Sequence, residues 1–131
     1  MLIDLNRLEP WSPFQSRVWH SMRSPIQRKE IDQAVSEGRL KGFDENLWQD
    51  ESRSSHIERI AYLVVHGWDD PISIDVGIPF LGCYVDWIIV DGNHRLAAAF
   101  YRNDTHIDVG ISGCNDYIKE LLGVDFNDET E

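Results

Sequence analysis

The stretch Asp91-Gly92-Asn93-His94-Arg95 has the residue types and spacing best suited to chemistry in this sequence. Residues 85–90 before it are strongly apolar and predict a buried strand, whereas residues 96–101 after it are good helix formers. The sequence therefore predicts a strand, a tight glycine turn and a helix that starts at His94 and Arg95. A helix N-terminus has unpaired N–H groups and a partial positive charge, so an imidazole and a guanidinium there make an anion site of phosphate size.

Each residue of this stretch has a candidate role. Gly92, Asn93, His94 and Arg95 are the predicted phosphate-binding residues, with the Arg95 guanidinium matched to two phosphate oxygens and Asn93 expected to cap the helix. Asp91 and His94 are the predicted acid–base pair, and Asp91 is also the predicted metal ligand. Two alternatives stay open: His94 held by a local hydrogen bond, and Asp91 acting only as a turn residue.

The same residues carry a resemblance to a known family. The segment Asp91-Gly92-Asn93-His94-Arg95-Leu96-Ala97-Ala98 resembles the D-G-x-H-R box of the ParB/sulfiredoxin superfamily. The resemblance covers residues 55–111, with a helix at 56–61, a strand entered through Gly67-Trp68-Asp69-Asp70-Pro71 and a closing strand at 107–109. It implies an α+β fold in which a small mixed sheet is flanked by helices. Residues 2–10 look like the family's first strand, whereas residues 12–54 match nothing in its pattern.

The chain departs from the best-known branches of that superfamily. Sulfiredoxins carry a catalytic cysteine directly before the His-Arg pair, where this sequence has Asn93, so the resemblance does not extend to sulfinic-acid reduction. ParB partition proteins add a helix-turn-helix DNA reader and a dimerisation domain, for which we expect no room after this fold. Other members include ATP-dependent kinases of small molecules and proteins described as nucleases, so the fold alone does not fix the function.

The resemblance implies a nucleotide-binding protein, with Mg²⁺ and ATP or CTP as the expected cofactors. Whether the protein transfers a phosphoryl group, hydrolyses a nucleotide, cleaves nucleic acid or only binds its ligand is left open. Asp69 and Asp70 have two interpretations as well, since they are suited either to metal or hydroxyl activation or to an ordinary turn before Pro71.

Charge is distributed unevenly along the 131 residues. The net charge is −11; residues 1–59 hold nine Lys and Arg against ten Asp and Glu, whereas residues 60–131 hold three against thirteen. This acidic field argues against tight non-specific nucleic-acid binding. It also supports an alternative function: a non-catalytic acidic inhibitor or adaptor from a phage or mobile element that binds a DNA-handling or defence protein.

The two cysteines and the hydropathy pattern indicate the cellular compartment in which the protein is expected. Cys83 and Cys114 form no C-x-x-C pattern and belong to no cluster with zinc-ligand spacing. No signal-peptide core or apolar run of membrane-spanning length is present. We therefore expect thiols in a reducing compartment, a cytoplasmic protein and no membrane partner.

The elements that must position the site are predicted to form one domain. We expect residues 1–54 to supply a strand at 2–5, stopped by Pro10, a helix opened by Ser24-Pro25, and a loop over 39–54. The predicted core, 55–123, has a helix at 55–66 with a capping box starting at Ser55. Its strands are expected at 72–76, 85–90 and 107–111, with a hairpin-like excursion over 77–84 and a last helix capped by Asn115. Residues 124–131 are the expected acidic tail.

Overall fold

The protein consists of a mixed β-sheet and the helices packed with it. The computed structural model describes residues 1–19, 22–42, 52–78 and 87–123. The elements in chain order are β1 (Leu2–Asp4), a 3-10 helix (Leu5–Trp11), α1 (Arg28–Ser36), α2 (Arg53–His66), β2 (Ile72–Asp75), β3 (Ile89–Asp91), α3 (Asn93–Tyr101), β4 (His106–Ser112) and α4 (Asn115–Leu122). This arrangement confirms the α+β class.

Within the described residues the four strands form one sheet in the order β1-β4-β2-β3. β1 pairs antiparallel with β4, β2 pairs parallel with β4, and β2 pairs antiparallel with β3. Ser73 lies opposite Asp91, so the end of β3 lies beside the start of β2. The segment that leads into α3 is therefore fixed by sheet pairing.

Helix α3 is buried on two opposite faces. Leu96 and Ala99 belong to the apolar core formed with the sheet, whereas Ala97 and Ala98 belong to the core formed with α1 and α2. All four side chains have no exposed surface. Alanine is small enough to let two helices approach closely, so α3 lies between the sheet and the α1–α2 layer.

The N-terminal expectations need correction. The first strand ends at Asp4 instead of residue 5, because the Asp4 side chain accepts a hydrogen bond from the Asn6 N–H and starts the 3-10 helix. Pro10 lies inside that helix and does not stop the strand. The predicted start of α1 at Ser24-Pro25 is also wrong, since α1 begins at Arg28. The Arg53 guanidinium binds the carbonyls of Ser24 and Pro25 at 3.0 Å each, which holds that segment outside the helix.

Helix α2 was predicted in the right place but with the wrong cap. It begins at Arg53, and the Ser52 hydroxyl accepts the Ser55 N–H at 3.2 Å, so the capping box expected at Ser55 is wrong. The predicted end is confirmed by Gly67, whose φ is +75°. Asn115 is the first residue of α4, and Cys114 is the N-cap instead.

The strand ends shift by small amounts. β2 ends at Asp75 and β4 spans His106–Ser112, each within a residue of the expected end. β3 begins only at Ile89, and Trp87 and Ile88 precede it outside the strand. Residues 85 and 86 of the predicted strand, most of the 77–84 excursion, residues 43–51 of the predicted loop and the acidic tail lie outside the described residues. In the described ranges, no helix is both long and apolar enough to cross a membrane.

Gly92 allows β3 and α3 to join, and its replacement tests the fold. Its φ is +103°, and a Cβ there would lie 2.5 Å from Cγ2 of Ile72. We expect Gly92→Ala to lower the free energy of unfolding by about 2 kcal/mol or more, from backbone strain and overpacking.

Gly110→Ala is the matched control for this change. Gly110 lies in β4, and the nearest atom to its added Cβ would be 4.0 Å away. We expect a change within about 0.5 kcal/mol for this control, measured by urea denaturation of both variants. Equal stability of the two variants would contradict the turn geometry.

Candidate functional site

The D-G-N-H-R stretch forms the strand–turn–helix corner that the sequence predicts. β3 ends at Asp91, Gly92 takes the left-handed conformation, and α3 begins at Asn93 with His94 and Arg95 in its first turn. Gly92 is the N-cap and has no side chain to accept the first N–H groups of the helix. The start of α3 therefore presents backbone donors that no N-cap side chain satisfies.

Asn93 does not cap the helix as expected. Its Oδ1 accepts the Trp87 indole N–H at 2.9 Å, and its Nδ2 donates to the Ile89 carbonyl at 3.4 Å. These bonds hold the residues before and within β3 against the first turn of α3. Asn93 thus stabilises the corner through its side chain while Gly92 occupies the capping position.

Arg95 joins α3 to the segment that enters β2. Its Nη1 donates to the carbonyls of Pro71 at 2.9 Å and Asp70 at 3.2 Å, and its Nη2 lies 3.4 Å from the Asp91 carboxylate. The side chain is only 19% exposed. A guanidinium has five N–H donors, so Nε and Nη2 can still contact an anion while Nη1 holds the backbone.

His94 pairs with a second histidine from α2. Its Nε2 lies 2.8 Å from Nδ1 of His56, which is itself only 8% exposed. The Trp19 indole stacks on both imidazoles, with centroid distances of 4.4 Å to His56 and 4.6 Å to His94. His56, to which the sequence assigns no role in the site, is therefore a buried hydrogen-bond partner of the predicted site residue His94.

Positive charge gathers around this pair. Burial, followed by the influence of His56, Arg59 and Arg95, lowers the pKa of His94 to about 3, so its imidazole is neutral at pH 7. The pKa of Arg59 on α2 is also lowered, first by burial and then by the positive charge of Arg95. Two guanidinium groups and two imidazoles thus lie within electrostatic reach of one another at the start of α3.

Asp91 is the acidic group of the corner. Its side chain is 71% exposed and forms a long ion pair with Arg95. No group of three or more His, Cys, Asp or Glu in the described ranges is arranged to hold a metal ion. A single carboxylate fits Mg²⁺ only where phosphate oxygens and water supply the other ligands, as is usual for nucleotide-bound Mg²⁺.

The predicted residues thus come together, with roles that sequence reasoning only partly found. Asp91, Gly92, His94 and Arg95 share one corner, as expected from their adjacency. The sequence analysis missed Trp19, His56 and Arg59, which come from other elements. Its one available signal was the spacing of His56 and Arg59, which at i and i+3 share a face of α2.

A separate cavity lies at the opposite end of α3. It has a volume of about 580 Å³ and is lined by Phe100, Asp104 and residues of the N-terminal segment, among them Phe14 and Arg28. The Arg28 guanidinium donates to the carbonyls of Phe100 and Tyr101, at the C-terminal end of the helix. The predicted site and this cavity therefore lie roughly 12 Å apart along the helix.

Comparison of the chain with protein-family models, with curated proteins and with solved structures gives no match.

The neutral His94 gives a pH-dependent stability that can be measured. Because its pKa falls from 6.5 to about 3 on folding, the unfolded chain binds more protons between those values. His94 thus stabilises the fold fully above pH 6.5, and this contribution is lost as the pH falls towards 3. From pH 6.5 to 5 we expect the free energy of unfolding to fall by about 2 kcal/mol.

Two variants separate His94 from the other titrating groups. The fall should be smaller in His94→Gln and unchanged in His106→Gln, whose imidazole lies on β4 beside Thr105. Denaturant titrations at each pH measure the free energy of unfolding of the parent and of each variant. An equal fall in the parent and His94→Gln would contradict the neutral, buried state of His94.

Proposed function

We propose that this protein binds the phosphate groups of a nucleotide at the start of α3, as a ParB/sulfiredoxin-like protein. The observation that carries the proposal is the position of Arg95 and the His56–His94 pair at an N-terminus that lacks a side-chain cap, where the positive charge of Arg59 also acts on His94. Like charges held close together destabilise a fold, and a bound anion relieves that repulsion. Such local conflicts are typical of functional sites.

The acidic residues of the second half of the chain make this cluster better suited to a small anion than to a long polyanion. The half of the chain from residue 60 onward has thirteen acidic and three basic residues, and Arg95 is one of those three. A broad acidic field disfavours a long polyanion but leaves room for one small anion in a basic pocket. A nucleotide with Mg²⁺ suits this field, because the cation offsets part of the phosphate charge.

Two arginine variants test the binding site. Losing one charged hydrogen bond costs about 1.5–3 kcal/mol, so Arg59→Ala and Arg95→Ala should each weaken nucleotide binding roughly tenfold to a hundredfold. Calorimetric titrations with ATP and CTP, with and without Mg²⁺, measure this. Because Arg95 holds the Asp70 and Pro71 carbonyls and Arg59 lies over the Tyr62 ring, the stability of both variants is measured alongside their affinity.

Lys29→Ala is the matched control for these variants. Lys29 is exposed on α1 next to Arg28, whose side chain reaches the far end of α3. The Lys29→Ala substitution removes one positive charge from the chain without touching the proposed site, so the nucleotide affinity of this variant should match that of the parent. Parent-like binding by both arginine variants, or no nucleotide binding at all, would overturn the proposal.

Chemistry on the bound phosphate has its own test at Asp91. Its carboxylate is exposed beside the helix start, where it can hold a phosphate-bound Mg²⁺ or accept a proton. If the protein is an enzyme, Asp91→Asn should abolish phosphate release while nucleotide affinity stays within a few-fold. Parent-like turnover in this variant would remove Asp91 from the catalytic residues.

The acidic binding protein is the second candidate function. The observation in its favour is Val90, which is 65% exposed in β3, at an edge of the described sheet, beside the exposed Asp91. An exposed apolar side chain next to acidic groups suits contact with a partner that has a basic surface. Failure of every nucleotide titration would favour this candidate over the first.

A further inference from the structure

We propose that the His56–His94 pair is the proton-carrying part of the anion site, and that it takes up one proton when a dianion binds at the start of α3. This inference rests on the proposed function, because it assigns a regulation to the same site. It predicts that anion affinity rises as the pH falls below neutrality. His56 lies 38 residues before His94 and outside the D-G-N-H-R stretch, so only the fold places it in the site.

The geometry of the pair makes it a single proton-binding unit. The 2.8 Å contact joins Nδ1 of His56 to Nε2 of His94, so one ring donates an N–H and the other accepts it. Both rings are neutral when the pair holds two protons. An added proton goes to the outer nitrogen of the donating ring, which is Nε2 of His56 or Nδ1 of His94, and the N–H···N bond stays intact.

Opposing influences act on that added proton. When that proton is on His94, burial disfavours it, as would a charge on His56 and as do the positive charges of Arg59 and Arg95. The Trp19 indole, stacked on both rings, favours it, because a cation over an aromatic face is stabilised.

Within the described residues, the charged groups near the pair include Arg59 on α2, Arg95 on α3, which is ion-paired with Asp91, and Lys41, which donates to the hydroxyl of Ser55, the residue before His56.

A bound anion favours the added proton on the histidine pair. A dianion bound between the start of α3 and the two guanidinium groups offsets the charges that disfavour the proton. The favourable contacts with Trp19 and the hydrogen bond between the rings remain, and that bond strengthens when one ring is charged. Because binding and protonation are linked, each must then favour the other by the same factor.

Sulfate is the probe that isolates the proton of the protein. It stays a dianion from pH 7.5 to 6.0, whereas phosphate changes its own charge in that range. We expect the sulfate affinity to rise at least threefold between these pH values, within the limit of tenfold per pH unit for one linked proton. Calorimetry in buffers of different ionisation enthalpy should show fractional proton uptake on sulfate binding that grows as the pH falls from 7.5 to 6.0.

Three glutamine variants assign the linkage. His56→Gln and His94→Gln should still bind sulfate through the arginines, but with an affinity that is flat across this pH range. His66→Gln is the control, because His66 lies at the end of the same helix and stacks on Tyr62. It should keep the pH dependence of the parent.

Imidazole proton resonances of the unaltered chain give a second measurement that does not require a variant to fold. Saturating sulfate should raise the titration midpoints of His56 and His94 and leave those of His66 and His106 unchanged. Sulfate binding that depends on Arg59 but shows no proton uptake and no such shifts would overturn this inference and leave the anion site standing. Sulfate binding that ignores Arg59, or no binding, would overturn the anion site and the inference with it.

Discussion

The burial of α3 on both faces is the constraint on which the rest of the structure depends. Its four consecutive small or apolar residues, from Leu96 to Ala99, face two different cores, so a rotation of the helix would expose buried apolar surface. The first turn of α3 must therefore lie where the sheet and α2 place it. The same burial brings Arg59 and His56 of α2 next to Arg95 and His94.

This placement creates a local conflict that the rest of the fold tolerates. The interior of a protein disfavours charge, and like charges repel each other there more strongly than in water. His94 resolves part of the conflict by staying neutral, and Arg95 resolves another part through two backbone carbonyls and Asp91. What remains is the effect of Arg95 on Arg59, whose pKa is lowered by burial and then by that charge, in a chain whose net charge is −11.

Local signals in the sequence predicted the elements well where a single residue decides the geometry. Gly92 and Gly67 each adopt a positive φ, and both mark the ends that their positions predict. The caps were less predictable, because Ser52, Ser54 and Ser55 are all suitable N-caps and only tertiary packing selects Ser52.

The partners of the site could not be predicted, because they are distant in sequence. His56 and His94 are 38 residues apart, and nothing in either neighbourhood indicates that they meet. Trp19 belongs to a segment that matches no family pattern, and its stacking depends on how that segment folds over α2 and α3. The delayed start of α1 has the same origin, since Arg53 binds Ser24 from 29 residues away.

The most direct test of the account compares the two ends of α3 in one experiment. Backbone amide resonances, recorded while ATP or CTP is added with Mg²⁺, report where the phosphate groups bind. We expect the largest shifts at the N–H groups of Asn93, His94 and Arg95. Shifts concentrated instead around the cavity at Phe100, Asp104 and Thr105, with the helix start unmoved, would contradict it.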